Sequence, residues 1–202
     1  MRVLIACEFS GRVRDSFRDR GHEAYSVDLL PDENGSPWHH QGYIEDVLEL
    51  GHWFSTWDLM IAHPPCTYLS VSGLHWNKKN PQRAQKTEEA LQFVQYLMDA
   101  PVDKTCIENP VSCISSRIRK PDQIIQPYEY GEDASKKTCL WLKNLPLLTP
   151  TEYIEPRWVD GKPRWANQTD SGQNKLGPSP TRAMERSRTY VGIAEAMADQ
   201  WG

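Results

Sequence analysis

Residues 1–28 constrain the fold more than any other stretch. Arg2-Val3-Leu4-Ile5-Ala6-Cys7 is a short, continuous apolar run bounded by Gly11, the pattern of a buried strand. Apolar residues then recur at helical spacing, Val13 and Phe17, and the pattern stops at Gly21. Residues 23–27 form a second strand pattern, closed by Asp28. A strand–helix–strand opening with a glycine at the first turn and an acid at the second strand's end is a nucleotide-cofactor pattern.

The alternation continues. Leu59-Met60-Ile61-Ala62 and Thr105-Cys106-Ile107 predict further strands, and Ala90, Leu91, Val94 and Leu97 predict an amphipathic helix over 82–98. Residues 124–127 and 138–142 predict two later strands. Residues 31–42 and 146–180 look like loops, the latter rich in proline and glycine. Residues 182–201 carry Met184, Ile193, Met197 and Trp201 in helix-compatible positions, with an interruption at Gly192. Strands alternating with helices predict an α/β fold, a Rossmann-like, mostly parallel sheet with helices on both faces.

Chemistry concentrates at two strand ends. Pro64-Pro65-Cys66 follows the strand 59–62, and Glu108-Asn109-Pro110 follows the strand 105–107. A cysteine on a rigid Pro-Pro turn, in the crevice where open α/β sheets bind ligands, is placed as a nucleophile rather than as core. A carboxyl at a later strand end, in a dry pocket, can stay protonated or share a proton with a ring nitrogen. That pair is what chemistry at cytosine C5 requires. The cysteine adds to an electron-poor ring carbon, and the carboxyl polarises the ring. Only a modestly lowered thiol pKa is expected to be needed.

These pieces, with others in order, make the chain resemble the S-adenosylmethionine-dependent DNA cytosine-5 methyltransferases. Ala6-Cys7-Glu8-Phe9-Ser10-Gly11 resembles the opening cofactor loop, and Tyr25-Ser26-Val27-Asp28 the strand ending in a ribose-binding acid. Tyr43-Ile44-Glu45-Asp46-Val47 resembles the motif whose acid contacts the adenine. Pro64-Pro65-Cys66-Thr67-Tyr68-Leu69-Ser70-Val71-Ser72-Gly73 is similar to the catalytic loop, and Ile107-Glu108-Asn109-Pro110 to the base-binding motif. The resemblance implies catalytic roles for Cys66 and Glu108. It implies S-adenosyl-L-methionine beside Phe9, Ser10, Gly11, Asp28, Asp46 and Pro64. It implies a substrate held by Pro65, Ser70, Asn109, Lys136, Lys137 and Arg182. The loop near the methionine part of the cofactor needs a glycine, and Gly11 is the one available. Lys136 and Lys137 stand where the family carries an arginine. A single methyltransferase domain over 1–202 is implied, with 146–180 a short loop-rich segment in place of a large target-recognition domain.

Composition sets the alternatives. The chain has 202 residues, 39% of them hydrophobic, and a mean hydropathy of −0.66, with no run suited to a membrane span. No signal-peptide pattern opens it, so a cytoplasmic protein is expected. The five cysteines show no CxxC pair, and His39 and His40 lack partners at metal-binding spacing, so no metal is expected. His63, beside Pro64, is expected to line the site. The net charge of −4 is not that of a DNA-coating protein, yet residues 157–188 hold seven Lys or Arg against three Asp or Glu, with Trp158 and Trp165 among them. DNA is the expected partner. A free pyrimidine nucleotide, or a non-catalytic cofactor-binding or protein-interaction role, are the competing readings.

Overall fold

The structure is a computed structural model and describes residues 1–48 and 56–202. Its first half runs β1 (Arg2–Ala6), α1 (Arg12–Asp19), β2 (Glu23–Asp28), β3 (His39–Gln41), α2 (Ile44–Leu48), β4 (Leu59–Ala62) and α3 (Pro81–Met98). It continues through β5 (Lys104–Pro110), α4 (Ile114–Arg117), β6 (Gln123–Ile125) and β7 (Thr138–Lys143). A hairpin of β8 (Arg157–Val159) and β9 (Lys162–Arg164) precedes α5 (Arg182–Ser187) and α6 (Val191–Trp201).

Seven strands form one sheet in the order β3-β2-β1-β4-β5-β7-β6. β7 alone runs antiparallel to its neighbours. The expected Rossmann-like, mostly parallel α/β fold is therefore present. The continuous apolar runs arise because both faces of the central strands are covered. Val3, Ile5, Leu59, Ile61 and Cys106 face Val13 and Phe17 of α1 and Ile193, Met197 and Trp201 of α6. Leu4, Ala6, Met60, Ala62 and Ile107 face Ile44 and Val47 of α2 and Leu91, Val94 and Leu97 of α3. Each Val, Leu, Ile, Met or Phe among them stabilises the fold by about 1.5–3 kcal/mol on burial. The strand order reverses between β1 and β4, which opens a crevice at their carboxyl ends.

Three local features depart from expectation. The segment 31–42 is not all loop: His39–Gln41 adds an edge strand beside Ser26–Asp28. The segment 146–180 contains the β8–β9 hairpin, closed by Asp160 and Gly161 at φ 49° and 70°, the type I′ geometry favoured by Asp-Gly. The C-terminal helical stretch breaks between α5 and α6 at residues 188–190, not at Gly192, which lies inside α6. There a Cβ would come 1.7 Å from the Tyr130 carbonyl oxygen, so glycine permits close packing rather than ending the helix. Among the described residues no helix is long and apolar enough to cross a membrane.

Candidate active site

Cys66 and Glu108 reach the same crevice because β4 and β5 are adjacent and parallel. Past Ala62 the backbone N–H of His63 still donates to the Ala6 carbonyl at 2.9 Å, which extends the ladder by one residue. Pro64 is buried and Pro65 exposed, and the partly buried Cys66 follows. The chain then turns tightly: Leu69 and Ser70 donate backbone N–H to the Cys66 carbonyl at 3.0 and 2.9 Å. The loop is fastened to the end of β5 in two places. Asn109 Nδ2 donates to the Pro64 carbonyl at 2.7 Å. Cys113 N–H donates to the Leu69 carbonyl at 2.9 Å, next to a bridge between Ser70 and Ser112. Arg83 of α3 braces the outer side, donating to the Thr67 carbonyl at 3.0 Å.

Glu108 is buried, and its Oε2 lies 3.0 Å from His63 Nδ1. Burial pushes its carboxyl up, but the His63 hydrogen bond and the charges of Lys136 and His63 outweigh this, leaving it below the ordinary range. From the sequence this acid is expected to be either protonated or sharing a proton with the ring; its surroundings draw the carboxyl down rather than up. Burial also pushes the Cys66 thiol up; Lys136 opposes this and Glu108 adds to it. The modestly lowered thiol pKa expected from the sequence is not found, because the Pro-Pro turn places the sulfur in a dry site beside a carboxylate.

The crevice beside β1 and β2 gathers acids. Cys7 ends β1 in a left-handed conformation at φ 59°, uncommon for a residue with a side chain. Its thiol is pushed up to about 12 by burial and by the charges of Asp28 and Glu45. Asp28 stands at the end of β2 with Oδ1 accepting the Leu30 N–H at 2.9 Å, and its carboxyl is raised, chiefly by burial. Asp46 is exposed in the first turn of α2, while its neighbour Glu45 is partly buried and felt at Cys7. Gly11 precedes α1 at φ 71°, and Phe9 is buried. Ser10 is buried too, its hydroxyl 3.4 Å from Glu8.

Glu8 is a carboxylate that sequence reasoning passed over. Fully enclosed, it accepts the N–H groups of Val13 and Arg14 at 2.7 and 3.2 Å and so caps the first turn of α1. Burial raises its carboxyl, while His63 and the two N–H donors pull it down. Its position after an apolar strand and before a helix was the available clue.

A cleft of about 600 Å³ opens beside Pro110 and Val111, with Arg12, Lys136, Lys175 and Arg186 among its walls. Lys136 is the cation felt at both Cys66 and Glu108, whereas Lys137 lines the cleft as an exposed residue. Arg186, not Arg182, is the α5 arginine that lines the cleft and acts on Cys66. The 167–176 loop forms another wall. Asp170 in that loop is bound by Arg157 at 2.6 Å, and the nearby hairpin holds Trp158 67% exposed. Trp165, in contrast, is buried, stacked on Tyr128 at 4.0 Å. Among the described residues no group of His, Cys, Asp and Glu is arranged to hold a metal. His39 is occupied by Ser26 and the Leu30 carbonyl.

No protein-family model and no curated protein matches the chain. Among solved structures, it is similar to a protein described as a candidate DNA modification methyltransferase encoded within a prophage of E. coli. The two share 13% identity at a TM-score of 0.48, over 76% of this chain and 52% of that one. The chain therefore spans about half the length of that structure, and likeness at this level carries neither family nor activity to it.

Proposed function

We propose that the protein methylates C5 of cytosine in DNA, with Cys66 adding to C6 and Glu108 holding the base at N3. The observation that carries this is the convergence of Cys66 and Glu108 from adjacent parallel strands, fastened by the Asn109–Pro64 hydrogen bond. Thiolate addition at C6 makes C5 nucleophilic, and loss of the C5 proton then expels the cysteine. The target base must leave the stack, since Cys66 cannot reach C6 within a duplex.

The crevice beside β1 suits S-adenosylmethionine. Two carboxylates, Asp28 and Glu45, converge there, and a carboxylate accepts paired hydroxyls. Phe9 and Gly11, in the loop after β1, and Pro64, past the end of β4, are proposed to complete the site. When bound, this cofactor supplies an electrophilic methyl carbon. The cationic cleft and the Trp158 hairpin favour a polyanionic strand with accessible bases.

The test is incubation with labelled cofactor and duplex DNA, single-stranded DNA or free dCMP, followed by 5-fluorocytosine versions of each. The fluorinated DNA is expected to trap the wild-type protein covalently and to leave Cys66→Ser untrapped. Methylation by Cys66→Ser at the wild-type rate would overturn the cytosine C5 assignment. Labelling of dCMP alone would move the substrate to a free nucleotide.

A further inference from the structure

His63 has no role in the chemistry described so far, yet it is an enclosed ionisable group bonded directly to Glu108. Its backbone is pinned to β1 and its side chain is 7% exposed. Nδ1 is committed to Glu108 at 3.0 Å, and Nε2 is enclosed with no hydrogen bond among the described residues. The ring is thus held at one nitrogen, aimed at one carboxylate.

The surroundings are acidic on several sides. Glu108 of β5 bonds the ring directly. The charge of His63 is also felt at Glu8, in the loop between β1 and α1, and at Asp28, at the end of β2. Lys136 acts on Glu108, and Arg14 acts on Glu8. His63 and Glu108 share one enclosed hydrogen bond, so a proton at that contact is held by both.

The structure leaves a gap that this pair fills. A base activated at N3 needs a proton, and the His63 hydrogen bond is the chief influence that opposes a proton on buried Glu108, so the two groups compete for one proton at a single contact. Resting on the function proposed above, we propose that His63 is a positioning residue that stores, between Nδ1 and Glu108, the proton delivered to cytosine N3. As N3 is protonated, an N–H bond forms there and the proton held between Nδ1 and Oε2 is given up. Neutral imidazole, carboxylate and N3-protonated cytosine remain. The proton returns to the pair when the cysteine is expelled.

Two measurements test this, both on the full chain. In His63→Asn the amide overlies the Nδ1 end of the ring, so it still donates to Glu108 but stores no proton. Methyl transfer to DNA is expected to fall by about 10- to 100-fold in kcat, a loss at or below the usual range for a positioned acid. KM for DNA should stay near wild type, and the alkaline limb of the pH profile should move to lower pH. A uniform loss with an unmoved limb would make His63 merely structural and overturn the proposal. The second measurement needs no turnover: the Glu108 carboxyl is followed by ¹³C NMR across pH. Its midpoint should rise in His63→Asn, and an unchanged midpoint would overturn the pair. If the wild-type protein methylates no form of cytosine, the proposed function fails, while the carboxyl titration still decides the pairing. Should His63→Asn not fold, His63→Gln serves in both measurements.

Discussion

Asn109 donates its side-chain N–H to the carbonyl of Pro64 at 2.7 Å, across the gap between β5 and the loop that carries Cys66. This amide is therefore one of the ties that fix the Cys66 loop relative to Glu108. Glu108 and Asn109 are consecutive, so the two side chains leave opposite faces of β5. One meets His63, the other holds the cysteine loop.

Asn109→Ala should cost about 1–3 kcal/mol of stability, because the enclosed Pro64 carbonyl loses its donor. The larger effect should fall on turnover. A loosened Cys66 loop should lower kcat by about 10- to 100-fold, since small misplacements of a reacting atom cost that much. Cofactor affinity, measured by calorimetry, should stay near wild type.

Asp28→Ala should weaken S-adenosylmethionine binding by about 30- to 150-fold, the loss of about 2–3 kcal/mol of charge-assisted hydrogen bonding. Glu45→Ala should weaken it as well, and the exposed Asp46→Ala much less. Equal losses from Glu45→Ala and Asp46→Ala in calorimetry would overturn the proposed placing of the adenosine beside Glu45.

Arg14 is fully buried and spans Asp15, Asp32 and Ser26, with Nη1 at 2.6 Å from a nearly enclosed Asp32. Asp32 is raised by burial but drawn below its ordinary 3.8 overall by the Ser36 N–H, Arg14 and the Asn34 N–H. A depressed carboxyl stabilises the fold fully above its unfolded value and loses that contribution as pH falls through the folded one. Asp32→Asn should therefore cost about 3–5 kcal/mol near neutrality. The gap between variant and wild type should narrow below about pH 4, where the carboxyl's contribution is being lost. Urea denaturation at several pH values checks both statements.

DNA binding should depend on salt through the cleft cations. Lys175→Gln and Arg186→Gln should each flatten the slope of log K against log salt by about 1, with binding weakened across all sequences. Trp158→Ala should lower affinity by about 1–3 kcal/mol on single strands if a base stacks on it. Fluorescence titration over a range of salt measures all three.

Much of the architecture was legible because it rests on local pattern. β1, β2, β4, β5 and β7 are apolar runs, and α3 carries its stripe, an Asn80 N-cap and Pro81 at its start. β3 was not legible: His39, His40 and Gln41 are polar, and only pairing with β2 makes them a strand. The Asp160-Gly161 hairpin was legible and missed, hidden among prolines. In the site, Cys66 was visible as lying past a strand end; Glu108, expected to follow its strand, lies inside β5, which runs on to Pro110 by pairing with β7. The His63–Glu108 bond was not, because it joins residues 45 apart in sequence. The contrast between Glu45 and Asp46 depends on the phase of a five-residue helix, which no composition reveals.

The contact between α1 and α6 has a further consequence, for biosynthesis. The face of the sheet that α1 begins to cover is completed only when residues 191–201 arrive to pack against Val13 and Phe17. Strands made early must therefore wait with part of their apolar surface uncovered. Such high contact order slows folding and exposes the nascent chain to aggregation. A chain cut short before α6 would carry Cys66 and Glu108 but lack the helix that completes one face of their scaffold.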